Sequence, residues 1–484
     1  MGEAILSQKE AEMVKNKYIR LFSNTAIFTV GKFVSKIIVI FMLPFYTACL
    51  SSAEYSTADL ITNLCNLIIP IAGLGVSEGI FRNAAEKGDD KESFFSNGIV
   101  IMLIGSVIFL SLSPLIRFFE TFAPYLWLII AYVLASNIHS VCAQYVCAIG
   151  RTKLFAGQGI LNTAFTVTLN ILFLAKFDMG ILGYILSIIL ADTLTTFFLF
   201  FTARLYTAFR ISKVSAKLMG EMVKFCLPLV PSTIFWWITS VSDRYMVAYF
   251  VSPAENGLYA AAYKIPTLLT YVVSIFNDAW KLSTISDSKG EERTRFYSEV
   301  YKYYISVMFM GGMLLCVSAR LTSTVLFDAS YRSAWIFIPI LSTATVFTAL
   351  NTFMGSAYYA AKKTSMSMWT SLIGAALNIV LNLIVIPRFG AMGASVATFA
   401  SYFVVFIIRA VTMKRFIPFK MYPVKVTVNT ALILGVTALM TLWGDTVYGL
   451  LLSVGVTLAG VVYNGKDIFL GCKDALRAIK SKKA

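Results

Sequence analysis

The chain has 484 residues, of which 58% are hydrophobic and 14% charged, and its formal net charge is +16. A soluble domain carries about 25% charged residues. A water-soluble chain of this length could not hide so much apolar surface, so a soluble enzyme, a DNA-binding domain and a disordered protein are excluded. The remaining class is a protein embedded in a lipid bilayer.

Apolar stretches long enough to cross a bilayer recur along the whole chain. A transmembrane helix needs about 20 mostly apolar residues, and we count fourteen candidates. They lie at roughly 21–46, 57–81, 93–115, 124–148, 154–175, 180–203, 224–250, 257–280, 298–318, 333–358, 366–386, 391–413, 424–443 and 447–463. The first is too long for the core of a signal peptide, so we interpret it as an uncleaved span.

The positions of lysine and arginine support this count. If the N-terminus is cytoplasmic and every span crosses, the cytoplasmic segments carry 32 of the 41 basic residues, the outer loops carry five, and four lie inside spans. Membrane proteins concentrate basic residues on cytoplasmic loops. The asymmetry therefore predicts cytoplasmic N- and C-termini, and it explains the net charge without nucleic acid as a partner.

Two parts of the sequence resemble one another. Residues 151–177 align without a gap on residues 363–389, a shift of 212 positions. The matched residues include Leu169-Asn170 on Leu381-Asn382 and, just beyond the alignment, Gly180-Ile-Leu-Gly183 on Gly390-Ala-Met-Gly393. A weaker echo links residues 51–54, before span two, to residues 252–255, before span eight. Both matches place corresponding spans six apart.

This even offset indicates parallel repeats related by an axis along the membrane normal. We therefore predict an all-α membrane protein with two six-helix lobes around a central cavity. The lobes comprise residues 1–203 and 224–415, and a cytoplasmic linker over 204–223 joins them. Residues 416–484 form two further helices and a basic cytoplasmic tail. Two such lobes are typical of a transporter, and the short loops leave no room for an extramembrane catalytic domain.

Basic side chains inside predicted spans mark a candidate site. A charge at the bilayer centre costs about 2.5–3.5 kcal/mol on insertion scales, so it is expected to face a cavity or a partner. The four such residues, in spans one, seven and eight, are Lys32, Lys36, Arg244 and Lys264. We predict that they line the cavity. Structural ion pairing of the first three, and snorkelling of Lys264 to the outer interface, are the open alternatives.

Two acidic residues and one histidine also lie within spans. Asp192 lies midway along span six and Asp243 precedes Arg244, and both are candidates for ion coupling, with structural pairing as the alternative. His139, the single histidine, lies midway along span four, where we expect a hydrogen-bonded helix contact. One histidine excludes a multi-histidine metal site. The sequence also lacks a phosphate-binding G-x-x-x-x-G-K-[ST] motif and a credible Ser/His/Asp set, so we predict no metal, no cofactor and no enzyme activity.

The region of spans seven and eight resembles a known family. It reads Ser242-Asp243-Arg244-Tyr245-Met246-Val247, then Ser252-Pro253-Ala254-Glu255-Asn256-Gly257-Leu258-Tyr259 and Ala262-Tyr263-Lys264-Ile265-Pro266. It is similar to the corresponding region of bacterial polysaccharide-export flippases. These are the O-antigen and capsule repeat-unit translocases of the multidrug/oligosaccharidyl-lipid/polysaccharide exporter superfamily. The resemblance extends over the whole chain in length, span count and layout.

The resemblance implies a flippase of the bacterial cytoplasmic (inner) membrane. It would move an undecaprenyl-pyrophosphate-linked oligosaccharide to the outer leaflet by alternating access through a cationic cavity. By position, headgroup binding falls on Lys32, Lys36, Arg244 and Lys264. The resemblance leaves open coupling to a proton or sodium gradient, and whether the polysaccharide polymerase and chain-length machinery are partners beside membrane lipids. Two rivals are a multidrug-type cation antiporter and a peptidoglycan lipid-precursor flippase.

Overall fold

The computed structural model describes residue 38 and residues 40–86, 90–227, 229–284, 291–360, 363–416 and 419–481. Within these residues the chain forms helices and no strand, which confirms the all-α prediction. Lys32, Lys36 and most of the predicted first span lie outside the described residues.

Eighteen α-helices follow one another through the described part of the chain. They are α1 (Leu43–Cys49), α2 (Ser52–Ala72), α3 (Val76–Glu86), α4 (Lys91–Leu112), α5 (Leu126–Ala148), α6 (Thr152–Asn170), α7 (Gly180–Thr202), α8 (Leu205–Ala208), α9 (Ala216–Cys226), α10 (Leu229–Phe250), α11 (Pro253–Tyr263), α12 (Thr267–Thr284), α13 (Glu291–Val317), α14 (Ala319–Leu326), α15 (Ile338–Ala360), α16 (Thr364–Met413), α17 (Pro423–Trp443) and α18 (Val447–Ser481).

Many of these helices have the length and apolarity of membrane spans. The described residues hold nine such segments, or up to eleven if two bent pairs, α2 with α3 and α11 with α12, each count as one span. The 50-residue helix α16 breaks at Gly390, so each of its halves is long enough to cross a bilayer. The multi-pass membrane class is confirmed, and the number of fourteen spans stays a prediction.

The outer faces of the spans are apolar. Val107, Trp127 and Leu452 lie on three different helices and are 62%, 73% and 56% exposed. Exposed apolar surface of this extent is unfavourable in water and favourable in lipid. Buried hydroxyl and amide side chains satisfy their donors within the helices, as Ser187 does by donating to the carbonyl oxygen of Gly183 (2.7 Å). The side-chain distribution therefore suits a bilayer.

The described chain folds into two compact units. The first contains Thr57–Trp237 and the described residues before Leu43, and the second contains Leu43–Ser56 and the described residues from Ile238 onward. In the core of the first unit, the rings of Phe95 and Tyr145 stack with centroids 4.4 Å apart. In the second unit, Phe353 packs against Tyr301 with centroids 5.0 Å apart.

The matched parts of the sequence adopt matching backbones. Gly180, at the start of α7, has φ of +53°, and Gly390, at the break in α16, has φ of +59°. Both values lie in the left-handed region that favours glycine. Asn170 and Asn382 are both fully buried. The correspondence extends upstream of the aligned stretch, because α15 is as long as α5 and begins 212 positions later.

The predicted linker over 204–223 belongs to the first unit and is anchored to the start of α4. The Arg210 N–H donates to the Ser96 hydroxyl (2.9 Å), and the Ser215 N–H donates to Asn97 Oδ1 (2.8 Å). Lys213 Nζ lies 2.8 Å from Asp90 and 2.9 Å from Glu92. This segment is thus held in place by backbone hydrogen bonds as well as by ion pairs.

Candidate functional site

The predicted site residues that the structure describes fall into two groups. Asp192 lies on α7 in the first unit, whereas Asp243, Arg244 and Lys264 lie in the second. Their functional roles stay predictions. Each group is part of a larger set of polar side chains, and each set lies within one unit.

Asp243 is the centre of the group in the second unit. It lies on α10 and is 3% exposed. The Tyr259 hydroxyl donates to Asp243 Oδ2 (2.6 Å), the Arg244 N–H donates to Oδ1 (2.9 Å), and the Thr398 hydroxyl lies 3.4 Å from Oδ2. Several donors therefore surround the buried carboxylate, as burial of a charged group requires.

Arg244 is buried beside this carboxylate. Its guanidinium carbon lies 4.8 Å from the centroid of the Tyr263 ring, a cation–π distance. The Tyr263 hydroxyl is hydrogen-bonded to Tyr402 of α16. We call Asp243, Arg244, Tyr259, Tyr263 and Tyr402 the Arg244 cluster. In this cluster the Arg244 guanidinium lies over the Tyr263 ring.

Helix α11 positions the tyrosines of this cluster. Its N-cap residue, Ser252, accepts a hydrogen bond from the Glu255 N–H (3.1 Å). The Glu255 carboxylate accepts from the Ala391 N–H (2.7 Å), directly after the break at Gly390. A Cβ on Gly257 would meet the carbonyl oxygen of Ser52, so only glycine permits this close approach of α11. Three contacts of α11 therefore fix the orientation of Tyr259.

Lys264 lies at the break after α11. The Thr267 hydroxyl donates to the Lys264 carbonyl oxygen (2.5 Å), and α11 and α12 meet at 43°. Its side chain is partly exposed.

The helix that carries Arg244, α10, is less apolar than the nine candidate spans and is not one of them, because charged and hydroxyl side chains interrupt it. The membrane crossing predicted for α10 stays a prediction.

Asp192 belongs to a second buried set, which we call the Asp192 network. Its members, Ser136 and His139 of α5, Gln158 and Asn162 of α6, and Asp192 of α7, come from three consecutive helices. The Ser136 hydroxyl donates to Asp192 Oδ2, and Asn162 Nδ2 donates to Oδ1 (2.8 Å). His139 Nδ1 lies 3.4 Å from Asp192 Oδ1, and its Nε2 lies 2.8 Å from Gln158 Oε1.

The network confirms the hydrogen-bonded helix contact that the sequence predicts for His139. It also shows a partner that the sequence did not identify, the Asp192 carboxylate. The sequence contains one weak indication of this site: His139 and Ser136 are three residues apart and therefore share a helix face. That spacing does not identify a partner on another helix.

Two basic residues outside the four predicted positions are also buried in the second unit. Arg409 and Lys425 also lie within candidate spans, and they are 5% and 8% exposed. Lys425 pairs with Asp467 and donates to the Ser306 hydroxyl (2.5 Å). Both residues lie near helix ends, where the sequence pattern indicated the cytoplasmic interface.

Within the described residues, no group of three or more His, Cys, Asp or Glu side chains could hold a metal ion.

A family model described as "Polysaccharide biosynthesis protein" matches residues 21–280, more than half of the chain. Two curated archaeal proteins are also similar. A protein of Haloferax volcanii named "Probable low-salt glycan biosynthesis flippase Agl15" is 23% identical over 279 residues, covering 52% of this chain and 58% of that protein. An uncharacterized membrane protein of Methanocaldococcus jannaschii is 25% identical over 199 residues, covering 41% of this chain and 36% of its own length. The chain thus spans less than two thirds of either relative.

Two solved structures share the fold. The lipid II flippase MurJ in its inward closed conformation has a TM-score of 0.69 at 14% identity, covering 92% of this chain and 99% of that one. An inward-facing multidrug resistance MATE family transporter of the MOP superfamily has a TM-score of 0.61 at 13% identity, covering 80% of this chain and 95% of that one. At these identities the similarity shows the fold, which is that of a MOP superfamily transporter.

Proposed function

This chain belongs to the polysaccharide biosynthesis protein family, and on that premise we propose that it is a lipid-linked oligosaccharide flippase. Its cargo is an undecaprenyl-pyrophosphate-linked repeat unit of an O-antigen, capsule or exopolysaccharide. The protein moves this unit from the inner to the outer leaflet of the bacterial cytoplasmic membrane. Both termini lie in the cytoplasm.

One observation in the structure carries the headgroup assignment. Arg244 is 7% exposed, and the Tyr263 ring fixes the position of its guanidinium. A guanidinium presents a planar set of N–H donors that matches phosphate oxygens in pairs. A buried arginine that is already oriented loses less conformational freedom on binding than an exposed one would. Arg244 is therefore well suited to hold a pyrophosphate.

A pyrophosphate with its sugars cannot cross hydrocarbon unaided, because nothing there satisfies its polar groups. In our proposal a hydrated cavity holds the headgroup while the lipid tail stays in the bilayer, and rocking of the lobes exposes the cavity outward. We further propose headgroup-binding roles for Lys264, which lies at the break after α11, and for Lys32 and Lys36, which lie outside the described residues.

The membrane potential favours this direction of transport. One charge that crosses 100 mV exchanges about 2.3 kcal/mol, and an anion that leaves a negative interior moves downhill. A headgroup with two negative charges would gain roughly 4–5 kcal/mol over the full field. Proton or sodium movement through Asp192 or Asp243 would return the empty carrier. The polysaccharide polymerase and chain-length machinery would receive the product.

The first test identifies the cargo. Deletion of the gene is expected to leave a polyprenyl-linked oligosaccharide in the inner leaflet, identified by mass spectrometry of extracted lipids. In spheroplasts this lipid should resist an added glycan-cleaving enzyme until the wild-type gene is restored. If no lipid-linked glycan accumulates on deletion, the proposal is wrong.

The second test addresses the headgroup. Arg244→Ala is expected to slow outer-leaflet appearance at least about tenfold, since a charge-assisted hydrogen bond contributes about 1.5–3 kcal/mol. Arg320→Ala is the matched control, because Arg320 donates to the carbonyl oxygens of Gly444 and Asp445 (3.1 Å each) and lies outside the Arg244 cluster. The double variant Lys32→Ala/Lys36→Ala should also stop flipping. Undiminished flipping by Arg244→Ala at normal protein levels would remove its headgroup role.

A second candidate is a peptidoglycan lipid-precursor flippase. The fold similarity to MurJ over nearly the whole of both chains favours it. Its cargo would have the same lipid-pyrophosphate chemistry, so the same residues would bind it. Rescue of cell-wall synthesis in cells depleted of their own precursor flippase would select this candidate. Export of cationic dyes without any glycan phenotype would instead indicate a multidrug-type antiporter.

A further inference from the structure

The hydrogen bonds of the Asp192 network favour one distribution of protons among its members. Asp192 accepts from the Ser136 hydroxyl and from Asn162 Nδ2, and His139 Nδ1 also faces it. Groups that can donate surround both carboxyl oxygens, and such surroundings favour the ionised form of a carboxyl. The arrangement therefore suits a negative charge on Asp192.

His139 has an acceptor on each side. Its Nε2 faces Gln158 Oε1, an amide oxygen that only accepts, and its Nδ1 faces the Asp192 carboxylate. In a neutral imidazole one ring nitrogen carries no proton and must accept. With the Gln158 amide in this orientation, acceptors face both nitrogens. The arrangement therefore suits an imidazolium, whose pair with Asp192 has no net charge.

We propose that His139 and Asp192 form a proton-binding site within the membrane-spanning part of the first unit, and that the imidazolium holds one exchangeable proton there. Loss of this proton would leave a carboxylate without its counter-charge at a position where an uncompensated charge costs several kcal/mol. The site therefore releases its proton when water reaches it and retains it otherwise.

Within the described residues, tyrosine, cysteine and amide side chains neighbour the pair. Helix α5 contributes Tyr132, which interacts electrostatically with Asp192, and the groups next to Tyr132 are Cys65 of α2 and Tyr184 of α7. All three are neutral near pH 7. From α6 the network receives only the amides of Gln158 and Asn162. The His139 and Asp192 side chains are 17% and 12% exposed, which leaves an edge for proton exchange.

The second unit shows that the helix packing does not require this pair. With the gapless alignment extended upstream, Ser136 corresponds to Thr348 and His139 to Asn351 of α15. With Gly180 matched to Gly390, Asp192 corresponds to Tyr402 of α16. Tyr402 is hydrogen-bonded to Thr348, and Asn351 Nδ2 donates to the Tyr402 carbonyl oxygen (2.9 Å). Neutral groups take the places of the pair there, and the buried guanidinium of Arg409 donates to the Asn351 carbonyl oxygen beside them (2.6 Å). The titratable pair in the first unit is an addition to this framework, and proton binding explains the addition.

The single histidine allows a direct test. Histidine labelled with ¹⁵N in both ring nitrogens would give the NMR signals of His139 alone in the purified full-length protein in lipid nanodiscs. At neutral pH, wild type should show protons on both nitrogens. Asp192→Asn removes the counter-charge at nearly constant volume, and its ring should carry one proton. A neutral ring in wild type, or an unchanged imidazolium in Asp192→Asn, would overturn the proposal, and the wild-type measurement decides even if the variant does not fold.

The use of this proton in transport rests on the proposed flippase function, and a separate measurement addresses it. His139→Asn places the residue of the matched position and should preserve folding. In proteoliposomes with a lipid-linked oligosaccharide, this variant should lose the dependence of flipping on an imposed pH gradient. If wild type and variant respond equally, the proton does not drive transport. If neither flips the lipid, the proposed function fails, while the NMR result still decides whether the proton site exists.

Discussion

The three helices α5, α6 and α7 of the first unit and their counterparts in α15 and α16 share a framework and differ in chemistry. Gly180 and Gly390 adopt the same left-handed backbone where the chain turns into the next span. Gly183 and Gly393 each leave room for the residue at the matched position of the preceding span, Phe173 in the first unit and Val385 in the second. Backbone turns and close helix contacts are thus common to both.

The polar side chains on this shared framework are different. The first unit places a histidine and a carboxylate where the second has Asn351 and Tyr402. The second unit instead buries Arg409, at the position where the first has the fully buried Leu199. Glycines and helix contacts therefore determine the fold of each copy, and a few substitutions on the inner helix faces give each copy its own chemistry. The framework tolerates charge in either copy where hydrogen bonds satisfy it.

Removal of the Arg409 side chain is expected to have the largest effect. It tests whether hydrogen bonds satisfy the buried charge of the second copy. Its guanidinium donates to the Asn351 carbonyl oxygen (2.6 Å) and to the hydroxyls of Thr370 and Ser371 (2.9 Å each). Arg409→Ala loses these bonds and leaves a cavity, so we expect destabilisation by about 3–4 kcal/mol. Arg409→Leu installs the side chain of the matched position and should lose less. Thermal unfolding in nanodiscs measures both, and an unchanged Tm for Arg409→Ala would show that the buried charge contributes nothing.

Matched substitutions at the two turn glycines give the next largest effect. An alanine in the left-handed region costs about 1 kcal/mol at either position. At Gly390 a Cβ would also meet the Glu255 carboxylate and displace it from the Ala391 N–H, which adds about 1.5 kcal/mol or more. Gly390→Ala should therefore lower stability by roughly 2–3 kcal/mol, and more than Gly180→Ala does.

A double-mutant cycle isolates the contribution of Glu255. Glu255→Ala removes the carboxylate that the new methyl group would displace. In the Glu255→Ala background, the destabilisation by Gly390→Ala should fall to the cost of holding an alanine in the left-handed region. An equal cost with and without Glu255 would assign the whole effect to the backbone, and the two turns would then be equivalent in energy as well as in conformation.

The sequence predicted the features that depend on composition and on short-range pattern. Apolar content predicted the membrane class, and the matched glycines predicted two copies of one turn. The echo corresponds to a shared local structure, because Ser51 accepts from the Glu54 N–H and Ser252 accepts from the Glu255 N–H. Each of these signals lies within a few residues of the structure that it specifies.

The side-chain partners within the site could not be predicted in this way. His139 and Asp192 are far apart in the chain, and helical periodicity does not specify which faces of different helices meet. Arg409 lies one turn before the end of α16, so the positive-inside pattern placed it in the cytoplasmic segment. Its burial depends on hydroxyl groups of the first half of α16 and on a carbonyl of α15, which only the tertiary structure brings together.

The smallest expected effect concerns the segments that follow the two copies. In the first, the Arg210 N–H donates to the Ser96 hydroxyl (2.9 Å), and in the second the Lys420 N–H donates to the Ser298 hydroxyl (2.9 Å). In the segment after the first copy, Lys213 also forms an ion pair with Asp90 (2.8 Å). The hydrogen bond from Lys213 lowers the pKa of Asp90, and the hydrogen bond to Asp90 raises the pKa of Lys213.

The signs of these shifts define a pH window. The ionised Asp90 carboxylate stabilises the anchored segment at pH values above its ordinary pKa of about 3.9. This contribution is lost as the pH falls through the lowered pKa. Lys213 stabilises the segment below its ordinary pKa of about 10.4, and this contribution is lost as pH rises through the raised value. Hydrogen exchange of residues 205–226, corrected for intrinsic rates, should therefore accelerate at both pH extremes, while residues 419–422 should respond less. Lys213→Ala should abolish the difference. If both segments respond equally to pH in wild type, the shared backbone hydrogen bond anchors the segment after each copy and the ion pair adds nothing measurable.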